Sequence, residues 1–375
     1  MKCVRNLLVV VILFVIVTAP AATFAGQTEK AKPLTRDASP FPVVVDQSGD
    51  SGDGQTQYHV LRGDFHIHTP HSDGKLSPEE RVVEAWEYGY DVIAITDHGN
   101  FKAYEEALPT AKALGLLLVR GMETGIHERE HLVALGLTAD YQPRNSHHWA
   151  MKTGEDRPYY RDQWQRLGDA GAFVLYPHPH VGLKEPTRWA IKKGLLGGIE
   201  VMNGGVGDGW GSKNSHGIHW YPFALDWAVE HNLAVFANSD IHHPRGKQPR
   251  TVTLVLTKDR TVEGVMDALR TGRTVAQFND MLCAREDVLS LLIDSLVDVR
   301  FRKTVEGKAW LSVENNGPVA LEATVRGEGL SEAEIALEPY GEVLVPHQNP
   351  ATKTTITWEN AWIRSDKNLV TVHRP

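Results

Sequence analysis

The sequence predicts an α/β domain built on a parallel sheet, followed by a small antiparallel β domain. Three observations carry this. From Val60 onward, short β-rich apolar runs alternate with helical stretches for about 200 residues. After about Asp280 the texture changes to short strands separated by Asn-Gly, Gly-Glu-Gly and Pro turns. Of the 18 histidines, 16 lie between His59 and His243, and most fall just after the C-terminal end of an expected strand.

The expected strands of the first part are 64–67, 91–96, 116–120, 132–137, 172–176, 198–202, 234–237 and 251–256. Between them lie helix signals. Ser77-Pro-Glu-Glu80 is a capping box with proline at the first helical position, and Val82, Val83, Ala85 and Trp86 follow at helical spacing. Residues 223–231 and 261–270 read the same way. This alternation implies a parallel sheet, closed as a barrel or open and doubly wound. In the second part, 309–315, 320–325, 341–346, 354–358 and 369–372 read as short strands of a sheet or sandwich.

The N-terminus has the form of a secretory signal. Lys2 and Arg5 precede an apolar run from Leu7 to Val17, and Thr23 and Ala25 suit cleavage after Ala25. An uncleaved anchor is the alternative. The expected location is periplasmic or secreted, with no stable membrane anchor if cleavage occurs. Cleavage would remove Cys3 and leave Cys283 alone, which excludes an internal disulfide. The polar, Pro-broken stretch up to residue 60 reads as linker or N-terminal extension. A net charge of −8 with no Lys/Arg-rich run argues against nucleic-acid binding. With 42% hydrophobic and 23% charged residues, disorder and collagen-like repeats are excluded.

The chemistry collects at the strand ends. Asp64-Phe-His-Ile-His-Thr-Pro-His-Ser-Asp-Gly74 closes the first strand and Thr96-Asp-His98 the second. Gly121-Met-Glu123, Tyr176-Pro-His-Pro-His180 and Asn238-Ser-Asp-Ile-His-His243 close three more, and His131 opens another. In a barrel these ends form one face, where imidazoles and carboxylates would converge as metal ligands. Residues i and i+2 of a strand point to one side, so His66 and His68 can chelate together. No Gly-x-Ser-x-Gly elbow is present and Cys283 lies outside the motifs, so no side-chain nucleophile is expected. Asn203 ends a strand at the same mouth, and Arg245 and Arg250 follow the last motif, where arginine could grip a phosphoryl group. The glycines of 204–211 suggest a mobile loop, and the aromatic stretch 141–164 a lid or surface packing.

These motifs, in this order, resemble the PHP (polymerase and histidinol phosphatase) superfamily over residues 62–278. The resemblance implies a distorted (β/α)7 TIM-like barrel with a trinuclear metal site, and the all-β tail and export signal are similar to a secreted branch. It divides the chain into a signal peptide (1–25), an extension (26–60), a metallohydrolase domain (61–280) and a small β domain (281–375). It implies one metal held by His66, His68, Glu123 and Asp240, a second by Glu123, His131 and His178, and a third by Asp73, His98 and His242. Asp73 is preferred to His71 because the Ser-Asp-Gly turn resembles the larger phosphoesterase subgroup. His127, His180 and His243 then stand as supporting or substrate contacts, His180 foremost. The implied catalytic set is Glu123, Asp240, His98 and His242, acting with two to three divalent ions of manganese, zinc or iron, all of which suit mixed His/carboxylate ligands. The expected partner is a small phosphorylated or ester substrate, attacked by a metal-activated water. Hydrolysis of carboxylic or carbamate esters or amides is the alternative reaction, and a non-catalytic metal-binding protein a further one.

Overall fold

The computed structural model describes residues 36, 40–46, 56–127, 130–142, 157–180, 182–205, 212–213, 219–246, 250–278, 280–303, 305–328, 330–347 and 353–374. The expected signal peptide, most of the glycine loop 204–211 and much of 141–164 lie outside these residues. Residues 36–375 form one compact unit. Among the described residues, no helix is long and apolar enough to cross a membrane.

The first half runs β1 (Val44–Asp46), β2 (Thr56–Asp64), α1 (Pro78–Glu87), β3 (Val92–Ile95), α2 (Lys102–Leu114), β4 (Leu117–His127), β5 (Glu130–Leu135), α3 (Arg157–Asp169), β6 (Phe173–Tyr176), α4 (Glu185–Lys192) and β7 (Gly198–Asn203). It continues with β8 (Ser212–Lys213), β9 (His219–Trp220), α5 (Pro222–Glu230), β10 (Ala234–Asn238), β11 (Thr251–Thr257), α6 (Val262–Arg270), β12 (Thr274–Phe278), β13 (Met281–Cys283) and α7 (Glu286–Leu296). The tail supplies β14 (Val297–Lys303), β15 (Ala309–Asn315), β16 (Leu321–Gly327), β17 (Leu330–Leu337), β18 (Glu342–Pro346), β19 (Thr354–Arg364) and β20 (Lys367–His373).

The barrel strands follow the order β10-β7-β6-β5-β4-β3-β2-β11-β12-β13. Pairs β2–β3, β3–β4, β6–β7 and β7–β10 are parallel. The ring closes at the end that carries the motifs. Ile67 bridges Ile241 in parallel, and the Phe65 amide donates to Asn238 Oδ1 at 3.0 Å. The expected capping box is present: the Ser77 amide donates to Glu80 Oε2 (2.8 Å) and the Glu80 amide to Ser77 Oγ (3.3 Å).

The sheet departs from the expected parallel pattern at β5, which runs antiparallel to both β4 and β6, and at β11, antiparallel to β2 and β12. Two residues separate β4 from β5, too few for a crossover, so the chain must double back. The start of β5 therefore lies beside the end of β4, which brings His131 to the same mouth as Glu123. The first barrel strand also ends earlier than expected, at Asp64. Val44–Asp46 and the start of β2 pair with each other, inside the stretch expected to be extension.

The tail forms a three-stranded sheet, β14-β15-β18, and an antiparallel set, β17-β16-β19-β20. This set continues the barrel sheet, since β19 pairs with β13 at Leu282↔Ala361 and Cys283↔Trp362. Helix α7, unmarked by the sequence reading, packs Leu289, Leu292 and Ile293 into one core with Leu311, Leu321, Ile356 and Trp358.

Candidate metal centre

Glu123 is the hub. It is 1% exposed, and its two carboxylate oxygens face different histidines. Oε1 lies 2.6 Å from His131 Nδ1 and 3.2 Å from His178 Nε2. Oε2 lies 3.3 Å from His66 Nε2, 3.3 Å from His68 Nε2 and 3.2 Å from His98 Nδ1. Asp240 Oδ1 closes the His66 and His68 side at 3.3 and 3.1 Å. Asp73 sits further out. Its Oδ1 faces His242 Nε2 at 3.3 Å and its Oδ2 faces His98 Nε2 at 3.6 Å.

Among the described residues, four groups of side chains have donor atoms close enough to hold an ion: His68/Asp73/His98/His242, His66/His178/Asp240, His66/His68/Glu123 and His98/Glu123/His131. The residues fit divalent cations for a further reason. Nε2 of His66 and of His68 are buried and make no hydrogen bond of acceptable geometry, though carboxylate oxygens surround them. A buried polar atom without a partner is costly, and a cation between nitrogen and oxygen would relieve it.

The local field agrees. Burial opposes the charged form of His66, but Asp240, Glu123 and Glu200 outweigh it and hold its pKa well above the imidazole range. His98 and His178 rise in the same way, against burial, through Asp73 and Glu123 respectively and neighbouring carboxylates. His242 also rises against burial, through Asp73 and Asp240. His68 is pushed down by its burial, with Asp240 and Glu123 opposing. Glu123 and Asp240 lie well below the carboxylate range despite burial, held there mainly by His131 and His66 for the first and by His66 and His68 for the second.

Each group is fixed from behind. Glu200, fully buried on β7, accepts from His66 Nδ1 (3.0 Å), the His178 amide (2.7 Å), Asn203 Nδ2 (2.8 Å) and Asn238 Nδ2 (2.9 Å). Asp97 accepts from the Thr69 amide and hydroxyl and the Ser72 hydroxyl, at 2.8, 2.6 and 2.6 Å, and so pins the loop carrying Asp73. Gly74 lets that loop lie on His68, since a Cβ there would meet the His68 carbonyl oxygen at 2.3 Å. Arg81 of α1 donates to the carbonyls of His68 (3.0 Å) and His243 (3.0 Å), tying two ligand segments together. His178 (φ 28°) and Asp240 (φ 49°) both hold left-handed backbone, a strained conformation typical of functional positions.

The structure thus gathers His66, His68, Asp73, His98, Glu123, His131, His178, Asp240 and His242 around one mouth. His131 groups with His98 and Glu123, and its link to His178 runs through the shared Glu123 oxygen. His71 turns away to Glu106 Oε1 at 2.9 Å. The His180 ring lies 5.5 Å from that of His178, His243 is exposed, and the His127 side chain lies outside the described residues.

The other three expected substrate contacts are each engaged within the protein. Arg245 is 4% exposed and donates to Asp64 Oδ2 (2.8 Å) and the Tyr90 hydroxyl (3.1 Å), behind the cluster rather than into the mouth. Arg250 donates to the Tyr88 carbonyl at 2.7 Å. Asn203 does end β7 at the mouth, but its amide bonds Glu200 at one end and accepts from the Gly205 amide (3.0 Å) at the other. Glu200 itself was missed. It sits within the apolar run Ile199–Met202 and carries no motif, so its one signal was a carboxylate inside a buried strand.

Comparison with known proteins places this geometry. Residues 64–170 match the PHP domain. A 5'-3' exoribonuclease of Haemophilus influenzae is 37% identical over 78 residues, 20% of this chain and 28% of that protein. A PolC-type DNA polymerase III of Streptococcus sanguinis is 41% identical over 69 residues, 18% of this chain and 5% of that protein. The chain thus spans under a third of either curated relative. A crystal structure from Bacteroides vulgatus, described as a two-domain protein containing a predicted PHP-like metal-dependent phosphoesterase, superposes with a TM-score of 0.72. It covers 91% of this chain and 100% of its own at 24% identity, a likeness of fold. The match to the PHP domain thus lies on residues 64–170, and the likeness of fold extends across barrel and tail.

Proposed function

We propose that the protein is a metal-dependent phosphoesterase acting on small phosphorylated substrates in the periplasm or outside the cell. The observation that carries the reading is the division of Glu123, one oxygen toward His131 and His178 and the other toward His66, His68 and His98. One carboxylate so placed can serve two cations a short distance apart. Bound manganese, zinc or iron would polarise phosphoryl oxygens and acidify a water, supplying electrophile and nucleophile together.

The chain's own residues do the rest. His66, His68, Glu123 and Asp240 would hold one ion, Glu123, His131 and His178 a second, and Asp73, His98 and His242 a third. His98 and His242 share Asp73 and so hold the outer edge of the mouth, where a leaving group would face them. His180, beside His178, is the remaining candidate for substrate contact.

A second reading, hydrolysis of carboxylic or carbamate esters or amides, gains from one observation. Arg245 is buried against Asp64 and Arg250 gives one donor to the Tyr88 carbonyl, which weakens the case for an arginine grip on a phosphoryl group. The test is a hydrolysis screen of purified protein after metal analysis, with phosphate monoesters, phosphodiesters and neutral esters run in parallel. Metal-dependent turnover of a phosphate ester above that of every neutral ester is expected. The reverse order would establish the second reading.

Export rests on Lys2, Arg5, the apolar run to Val17 and the Thr23/Ala25 pair. N-terminal sequencing of protein recovered from the periplasm or medium should begin near Gly26. An intact Met1 in the cytosol would refute export.

A further inference from the structure

We propose that Glu200 is a positioning residue that sets the ligand nitrogen of His66 and the backbone of His178 together, and so couples the cation positions on the two sides of Glu123. The proposal rests on reading this cluster as a metal centre.

The hydrogen bonds of Glu200 divide evenly. Oε1 accepts from His66 Nδ1 and Asn238 Nδ2, and Oε2 accepts from the His178 amide and Asn203 Nδ2. Each oxygen therefore takes one bond from a ligand residue and one from an amide side chain. Asn203 and Asn238 are register partners on β7 and β10, so they flank the carboxylate from adjacent strands. A carboxylate can only accept, which requires Nδ1 of His66 to carry a proton and leaves Nε2 as its ligand atom. That Nε2 is the atom facing Glu123 Oε2 and Asp240 Oδ1. On the other side, the bond to the His178 amide fixes a residue whose φ of 28° few side chains adopt unaided, and its Nε2 faces Glu123 Oε1.

Asn238 reinforces the first arm. Its Nδ2 donates to Glu200 while its Oδ1 accepts from the amide of Phe65, the residue before His66. No described hydrogen bond links Glu200 to His68, Asp73, His98 or His242. The outer group is held instead through Asp97, Ser72 and Arg81.

Glu200→Gln separates shape from chemistry. A glutamine of the same size places an NH2 against two donors in either orientation. If it faces His66 and Asn238, the imidazole must accept at Nδ1, and its proton moves to the ligand nitrogen. If it faces His178 and Asn203, the left-handed turn loses its anchor. Glu200→Asp keeps the charge but is too short to reach both ligands.

The full chain is loaded with Zn²⁺ or Mn²⁺ and titrated with a competing chelator, with elemental analysis at each step. Thermal unfolding of each metal-free protein checks the fold. The variant Glu200→Gln is expected to lose about 10- to 100-fold in affinity for two ions while an outer ion stays as in wild type. Ring-nitrogen NMR of the Zn²⁺ protein should lose the hydrogen-bonded Nδ1 proton of His66. The variant Glu200→Asp should fall between wild type and Glu200→Gln, and it carries the test alone if Glu200→Gln does not fold. Unchanged affinity in a folded variant overturns the proposal. So does an equal loss at every position with a lowered unfolding temperature, which marks a merely structural role. A wild-type chain that binds cations but hydrolyses no phosphate ester refutes the phosphoesterase reading and leaves this measurement intact. A wild-type chain that binds no cation overturns both.

Discussion

Two buried clusters of opposite charge lie a few residues apart in this barrel and end in different states. In the first, Asp64, Tyr90 and Arg245 meet at 2.8 and 3.1 Å, and the Arg245 guanidinium lies 4.8 Å from the centre of the Tyr90 ring. Despite its burial, Arg245 is held firmly charged by Tyr90 and Asp64, and the Tyr90 hydroxyl is pushed up to about 12 chiefly by burial. In the second, Glu123 and Asp240 stand among imidazoles at distances of mostly 3.1–3.3 Å, and two ligand nitrogens make no hydrogen bond. Residue types alone do not separate the two. What separates them is that the first joins a cation directly to a carboxylate, whereas the ligand atoms of the second point at a shared space.

Changes at the second cluster should sever function from fold. Glu123→Gln is expected to lower metal content at more than one position and kcat/KM by more than about 100-fold, since one carboxylate faces both histidine sets. Elemental analysis and single-substrate kinetics would show it, and loss of one ion alone would break the comparison.

Changes at the first cluster should do the opposite. Arg245→Met leaves Asp64 buried and uncompensated, so a loss of about 3–5 kcal/mol is expected in denaturant unfolding. The folded fraction should keep its metal content and its preference between phosphate and neutral esters. A change in that preference would return Arg245 to the substrate.

A smaller effect concerns protons. With no cation bound, His66, His98, His178 and His242 keep protons above the usual imidazole range. Raised histidines stabilise the folded chain fully below the ordinary value of 6.5, and that contribution fades as pH rises through the folded values. A cation must displace these protons. Metal loading should therefore release more protons at about pH 6 than at about pH 8, and apparent affinity should climb between them. Calorimetry in two buffers of different ionisation enthalpy measures this. The smallest change is expected at the cap of α1, which carries Arg81. Ser77→Ala should cost about 1 kcal/mol in thermal unfolding and leave metal content unchanged.

Much of the second cluster was legible in the sequence because its residues fall at the ends of apolar runs. His66, His68, His98, Glu123, His178 and Asp240 were placed by the rule that parallel strands end at one face. His131 obeys it through a strand that runs backward, which periodicity cannot reveal because it gives spacing without direction. The partners of the two arginines were hidden for a related reason. A charge beside a motif does not say which side of the loop it leaves from, and Asp64 and the Tyr88 carbonyl lay on the other side. Glu200 and α7 were hidden in apolar runs, where helix, strand and a single buried acid look alike. The β tail was legible from its turns, but not its continuity through β13 and β19, because pairing distant strands depends on the closed sheet.

The ligand contacts also differ in how much chain they enclose. Glu123 and His131 are 8 residues apart across a hairpin, whereas His66 and Glu200 are separated by 134 and Asp64 and Arg245 by 181. A hairpin can close early, but the longer loops close only when β10 docks on β2, and contacts of such separation form slowly. An unfinished chain can thus offer an ion only local fragments, such as Glu123–His131 or His66–His68. The complete set of donors comes into being with the last closure of the barrel, so the compartment where folding ends decides which metal the protein meets.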